Sequence, residues 1–240
     1  MITRFSWNDA REDLNDVIVV DGTENTWWNQ QSRSNMGANV FVNGNISGGG
    51  KLIIRNRGWD ARFMRFAGCD FTGFSGELEL HGIRFEFAKF PIKSGTFVLA
   101  SDCGITTGDI SIDKDVTWLM ASVDDYNLTC ASGATIGGDG KGVVKNLTLN
   151  ENVSFKFTED SALSDTKAEY VALTVTNPIA GPLPTIANAN AVTTRGKWKL
   201  VQRANKKTVT DAETGVESEV TESYSLVAEF RPKGLVIILQ

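Results

Sequence analysis

The chain has 240 residues, of which 41% are hydrophobic and 22% are charged, and its formal net charge is −5 at pH 7. This balance is typical of a globular protein and excludes wholesale disorder. The negative charge argues against nucleic acid as a partner, because binding to a phosphate backbone needs clustered Lys and Arg. No apolar run reaches the length of a membrane helix, so we expect no integral membrane segment.

Residues 1–35 differ in pattern from the rest of the chain and are predicted to form an N-terminal cap. They combine a polar stretch at residues 8–16 with a short apolar run at residues 17–20 and the adjacent rings of Trp27 and Trp28. A stack of β-strands needs a cap because its open end exposes both apolar core and unpaired backbone.

Residues 36–176 repeat one pattern, in which a glycine-rich or polar turn precedes a short run of alternating apolar residues. The pattern is clearest in residues 37–54, 68–82 and 145–150. Alternation over such short runs predicts strands with one buried face, and their even spacing predicts either stacked rungs or a meander. The predicted fold class is therefore all-β.

Asparagine recurs where these predicted strands begin. Asn127 and Asn146 are two examples, and both lie in Asn-x-Ser/Thr sequons. Because an asparagine side chain readily hydrogen-bonds to nearby backbone and polar groups, we expect these residues to form hydrogen bonds between stacked strands.

Residues 177–240 are predicted to hold a connector and C-terminal capping strands. Three of the five prolines lie in residues 177–184, which predicts a connector over residues 177–194. Alternating runs at residues 196–202, 224–230 and 235–239 predict three strands in an antiparallel meander, and residues 206–222 are predicted to be a charged, turn-rich excursion. We expect the cap, the stacked strands and this C-terminal unit to form one cooperative domain.

The segment Phe71-Thr-Gly-Phe-Ser-Gly-Glu-Leu-Glu-Leu resembles the strand repeat of bacterial autotransporter passenger domains. The C-terminal alternating runs also resemble the terminal strands of those passengers. The resemblance implies a right-handed parallel β-helix, with a β-sandwich as the alternative fold. It also implies a secreted or outer-surface bacterial protein, so we expect a leader to have been removed.

The sequence carries few signals of catalysis. His81 is the only histidine, and no nucleophile elbow, Walker loop or dinucleotide fingerprint occurs, so no cofactor is expected. The adjacent pair Asp124 and Asp125 is a weak catalytic candidate for a hydrolase of glycans or glycoproteins, acting as a glycosidase or an aspartic-type peptidase. Adjacent residues in a strand point to opposite faces, so this pair favours a turn. Whether the chain is an enzyme stays open, with the balance against it.

Metal and disulfide chemistry also have little support. Cys69, Cys103 and Cys130 give an odd count, which leaves at least one thiol unpaired within the chain and one disulfide formally possible. A site formed by these cysteines and His81 lacks any CxxC or HxxxH spacing, so no metal site is predicted.

Binding has the clearer support. Trp27, Trp28 and Trp59 lie in polar segments, and aromatic faces stack on sugar rings. The alternative role for these rings is to close the end of the core. The sequence therefore predicts a non-enzymatic protein that adheres to an extracellular glycoconjugate or glycoprotein of host or matrix, such as a mucin.

Overall fold

The computed structural model describes residues 2–5, 11–13, 17–29, 40–56, 64–82, 85–86, 93–105, 109–121, 126–158, 163, 169–188, 191–193 and 195–233. These residues form 21 β-strands and no α-helix, so the predicted all-β class is confirmed. The described part of the chain contains no helix with the length and hydropathy that a membrane span requires.

In chain order the strands are β1 (Ile2–Phe5), β2 (Arg11–Asp13), β3 (Val17–Ile18), β4 (Glu24–Asn29), β5 (Val40–Ser47), β6 (Lys51–Asn56), β7 (Met64–Asp70), β8 (Glu77–Gly82), β9 (Phe85–Glu86), β10 (Ser94–Leu99), β11 (Asp109–Ile112), β12 (Asp115–Met120), β13 (Asn127–Cys130), β14 (Thr135–Gly138), β15 (Val143–Val144), β16 (Asn146–Leu149), β17 (Ser154–Phe157), β18 (Glu169–Val175), β19 (Thr185–Ile186), β20 (Gly196–Thr210) and β21 (Glu217–Pro232).

Most strand pairs are parallel. The largest sheet has nine parallel strands in the order β1-β4-β6-β8-β10-β12-β14-β17-β19. Most of the intervening strands pair with one another in two smaller parallel sheets, one formed by β2, β3, β5, β7 and β9 and the other by β11, β13 and β16. The intervening strands β15 and β18 belong to a fourth, mixed sheet in the order β15-β18-β21-β20. Parallel neighbours need a crossover connection, and here the crossovers carry the strands of the smaller sheets.

The core lies between the sheets, and strand alternation supplies it. In β12, Val116, Trp118 and Met120 are buried, whereas the alternate residues Thr117 and Leu119 are partly exposed. The rings of Trp118 and Phe97 lie 4.6 Å apart between centroids, and the Trp118 indole N–H donates to the Tyr126 hydroxyl at 3.3 Å. The buried residues of β12 belong to one continuous apolar cluster with Phe97 and Tyr126.

A row of amides runs across the outer face of the three-stranded sheet. The Nδ2 of Asn127 donates to Asp109 Oδ1 at 2.7 Å, the Nδ2 of Asn146 donates to Asn127 Oδ1 at 2.6 Å, and the Nδ2 of Asn177 donates to Asn146 Oδ1 at 2.7 Å. The first two hydrogen bonds join adjacent strands, because Asp109, Asn127 and Asn146 are in parallel register, and the third joins β16 to the turn that holds Asn177. The predicted hydrogen bonding of asparagine between strands is confirmed at these two sequons.

The C-terminal strands differ from the prediction in their extent. β20 and β21 pair antiparallel over fifteen residue pairs, so most of residues 206–222, predicted to be a turn-rich excursion, form a hairpin. The prediction was wrong because this part of the hairpin has water on both faces and so lacks the apolar alternation of a half-buried strand. Among the described residues, the third antiparallel strand is β18. The strand predicted at residues 235–239 lies outside the described residues.

Candidate functional site

A polar groove opens where four strands of the large parallel sheet begin. The register aligns Glu24, Lys51, Glu77 and Thr96 side by side on β4, β6, β8 and β10. The groove has a volume of about 500 Å³. Its lining consists of short polar, charged and glycine residues: Gly22, Thr23, Glu24, Gly49, Gly50, Lys51, Ser75, Gly76, Glu77 and Thr96.

Glycine forms the floor of the groove because neighbouring turns approach too closely for a side chain. A Cβ atom on Gly76 would lie 1.9 Å from the carbonyl oxygen of Gly50, and a Cβ atom on Gly50 would lie 2.2 Å from that of Val20. Backbone hydrogen bonds hold this spacing, from Glu77 N–H to the Gly50 carbonyl at 3.2 Å and from Thr96 N–H to the Gly76 carbonyl at 2.9 Å. The floor therefore presents bare backbone to anything that enters.

Lys51 is held in place by two carboxylates. Its Nζ lies 2.8 Å from Glu77 Oε1 and 2.7 Å from Glu79 Oε2. Burial lowers the pKa of Lys51, but the hydrogen bonds to Glu77 and Glu79 outweigh burial and hold the pKa well above its ordinary value. The groove thus carries a cation that stays charged at all physiological pH values.

A chain of polar contacts continues from Lys51 along the outer face of β8. Glu79 Oε1 contacts His81 Nε2, and His81 Nδ1 lies 3.4 Å from Asp102 Oδ1. Burial raises the pKa of Glu79, but the hydrogen bonds from Lys51 and His81 outweigh burial and hold the pKa below its ordinary value of 4.5. Because both oxygens of Glu79 are engaged by hydrogen-bond donors, this carboxylate is poorly suited to general acid catalysis.

Glu79 should make stability depend on pH in acid. Because its pKa is lower in the folded than in the unfolded protein, its contribution is complete above about pH 4.5 and is lost as the pH falls through the folded pKa. We expect Glu79→Gln to lower the free energy of unfolding by about 1 kcal/mol at pH 7, with the loss shrinking towards pH 3. Urea unfolding curves from pH 7 to pH 3 measure this. Glu151→Gln, in an exposed turn, is the control, and a loss that stays constant with pH would contradict the assignment.

Of the three predicted ligand-binding tryptophans, only Trp27 has a described side chain, and it does not line this groove. Trp27 is only 5% exposed and lies in the core, because its register partner on β6 is the buried Ile54. The ring of Trp27 is therefore not accessible to a sugar ring, and its burial agrees with the alternative role of the tryptophans as part of the core. The side chain of Trp28, all of Trp59, and the catalytic candidates Asp124 and Asp125 lie outside the described residues.

No disulfide joins any two of Cys69, Cys103 and Cys130, so the formally possible bond does not form among these described residues. Burial raises the pKa of both Cys69 and Cys130 to about 12, which makes these thiols unreactive near neutral pH. Within the described ranges, no three side chains among His, Cys, Asp and Glu are placed to hold a metal ion. His81 instead contacts Glu79 and Asp102.

None of the residues that line the groove is predicted as a site from the sequence, although the sequence contains a pattern that marks it. Gly50-Lys51 and Gly76-Glu77 both place a charged residue directly after a glycine at the start of an alternating run. Aligning the repeats on these glycines would have stacked Lys51 on Glu77. No family model, curated protein or solved structure matches this chain.

Proposed function

We propose that this chain is a secreted or cell-surface bacterial protein that binds glycoconjugates without hydrolysing them, through the polar groove. The observation that carries the proposal is the groove itself, which combines a glycine floor, hydroxyl groups and a fixed ion pair between Lys51 and Glu77. Sugars present many hydroxyls that both donate and accept hydrogen bonds. Ser75 and Thr96 offer matching hydroxyls, while the carboxylates of Glu24 and Glu77 accept.

The proposed scaffold is a right-handed parallel β-helix resembling autotransporter passengers, with an N-terminal cap. One observation and one general rule support it. Strands of the nine-stranded sheet alternate along the chain with strands of the smaller sheets, as successive coils of a helix would require. Parallel crossovers are also right-handed in almost all proteins. The antiparallel hairpin of β20 and β21 would then cap the C-terminal end.

Four carboxylates of the described residues favour binding over hydrolysis. A glycosidase needs a carboxylic acid whose pKa is raised so that it can protonate the leaving group. Hydrogen bonds instead hold the pKa of Asp70, Glu79 and Asp211 below the ordinary carboxyl range, as hydrogen bonds from Arg203 do for Glu229. These four groups are therefore anions near neutral pH, which suits hydrogen-bond acceptors.

A matched pair of threonine variants tests the proposal. Thr96 lines the groove, and Thr117 is its register partner on the next strand, outside the groove. We expect Thr96→Val to weaken binding to a mucin-type glycoprotein and to matching glycans on an array about fivefold, because one hydrogen bond is lost, and Thr117→Val to leave binding unchanged.

The same incubations distinguish the outcomes. Mass spectrometry of the supernatant should detect no released peptides or sugars. Absence of binding across the mucin and polysaccharide panel would contradict the proposal, as would equal binding by the two variants. Released products would make the chain a hydrolase, and Asp124→Asn combined with Asp125→Asn would then test the aspartate pair.

A further inference from the structure

The hairpin of β20 and β21 extends well beyond the part that contacts the core. The third strand, β18, pairs with β21 only at residues 224–229. There Arg203 of β20 donates to Glu169 of β18 at 2.7 Å and also contacts Glu229 of β21. Residues 204–223, which we call the arm, extend about 20 Å beyond these ion pairs of Arg203. All of them are exposed except Asn205 and Ser223, which are half-buried.

One face of the arm carries three exposed valines, together with Lys207 and Ser218. Directly paired residues of an antiparallel ribbon share a face, and so do alternate residues of one strand. Val209 pairs with Ser218, and Lys207 pairs with Val220, so both valines share a face. Val216, two positions before Ser218, continues it by alternation. These three valines are 41%, 61% and 43% exposed for Val209, Val216 and Val220, which is costly for a ribbon with no core.

The charges of the arm are segregated by strand. Its β20 side carries Lys206 and Lys207, and its β21 side carries Glu217, Glu219 and Glu222. Within one arm, Lys206 pairs with Glu219 at 2.9 Å on the polar face, whereas Lys207 and Glu222 are 3.8 Å apart. One strand is therefore basic and its neighbour acidic along the same length.

We propose that the arm is a docking surface for the arm of a second copy of this chain, with the two valine faces in contact. A two-fold axis along the arms superposes the basic strand of one copy on the acidic strand of the other. Lys207 of one copy then faces Glu222 of the second copy, and the reverse. Symmetric pairing of like edges is disfavoured because it would place lysine beside lysine or glutamate beside glutamate.

Sedimentation equilibrium of the whole chain tests the association. The expected species has twice the chain mass of 26.1 kDa. Val209→Lys with Val216→Lys should raise the dissociation constant at least about tenfold, because two charges enter an apolar contact. The control, Thr208→Lys with Thr210→Lys, adds the same charges to the opposite face and should leave the association unchanged. A chain that stays monomeric, or a dimer insensitive to the valine variant, would overturn the proposal.

A charge-exchange experiment tests the arrangement of the strands. Chains carrying Lys207→Glu alone, or Glu222→Lys alone, should each associate more weakly than the natural chain, because each places like charges in contact. A mixture of the two should form a mixed dimer, because each of its two contacts then joins one cation to one anion. Failure of the mixture to associate more tightly than either variant alone would overturn the face-to-face arrangement, and this experiment does not depend on the groove.

Discussion

Replacing Gly76 with alanine should lower the free energy of unfolding by about 3 kcal/mol, because the added methyl group has no space. The three atoms nearest its Cβ position are backbone atoms of Gly49 and Gly50, at 1.9, 2.8 and 2.9 Å. Backbone atoms within the sheet cannot relieve the clash by rotation about a side-chain bond, as the end of a long side chain can. The strands must therefore separate, which strains the hydrogen bond from Glu77 N–H to the Gly50 carbonyl.

Gly215 provides the matched control for this substitution. It lies in the turn of the C-terminal hairpin with φ +69°, and a Cβ atom there would have no neighbour within 4 Å. Gly215→Ala should cost only about 1 kcal/mol, from the left-handed backbone conformation. Urea unfolding at constant pH measures both variants. Equal losses would mean that close approach of the turns beneath the groove is not what requires glycine at position 76.

The all-β class could be predicted because half-buried strands leave a period-two pattern in the sequence. The stacking of particular residues does not follow from this alternation alone, because the repeat is unequal in length. Lys51 and Glu77 lie 26 positions apart but Glu77 and Thr96 only 19, although all three are in register. Unequal connections leave the local alternation intact while hiding which strand positions align.

Burial of Trp27 illustrates the same limit. Trp27 lies in the polar segment Thr26-Trp27-Trp28-Asn29, and its neighbours in sequence leave open whether its ring is exposed or closes the end of the core. The register instead aligns Trp27 with Ile54 and Leu80, which are both buried, so its column faces the core. The face of a residue in a short strand is decided by its partners on neighbouring strands as much as by its neighbours in sequence.

The largest loss of stability should come from Trp118→Ala, which removes the centre of the core. Trp118 is fully buried, its ring contacts Phe97, and its N–H donates to the Tyr126 hydroxyl. The substitution leaves a large cavity, and the Tyr126 hydroxyl loses the indole N–H donor, while it still donates to the sulfur of Met120 at 3.7 Å. We expect the free energy of unfolding to fall by about 4 kcal/mol.

Leu119→Ala separates this cavity effect from a general effect of shortening a side chain in β12. Leu119 is adjacent to Trp118 but points to the outer face and is partly exposed, so its truncation should cost about 1 kcal/mol or less. Unfolding by urea, followed by circular dichroism, measures both.

A small loss for Trp118→Ala would contradict a single continuous core, because a protein whose strand layers fold independently would lose the packing of only one layer. A large loss with one cooperative transition requires that the parallel sheets unfold together, so that the groove exists only while the whole stack is folded.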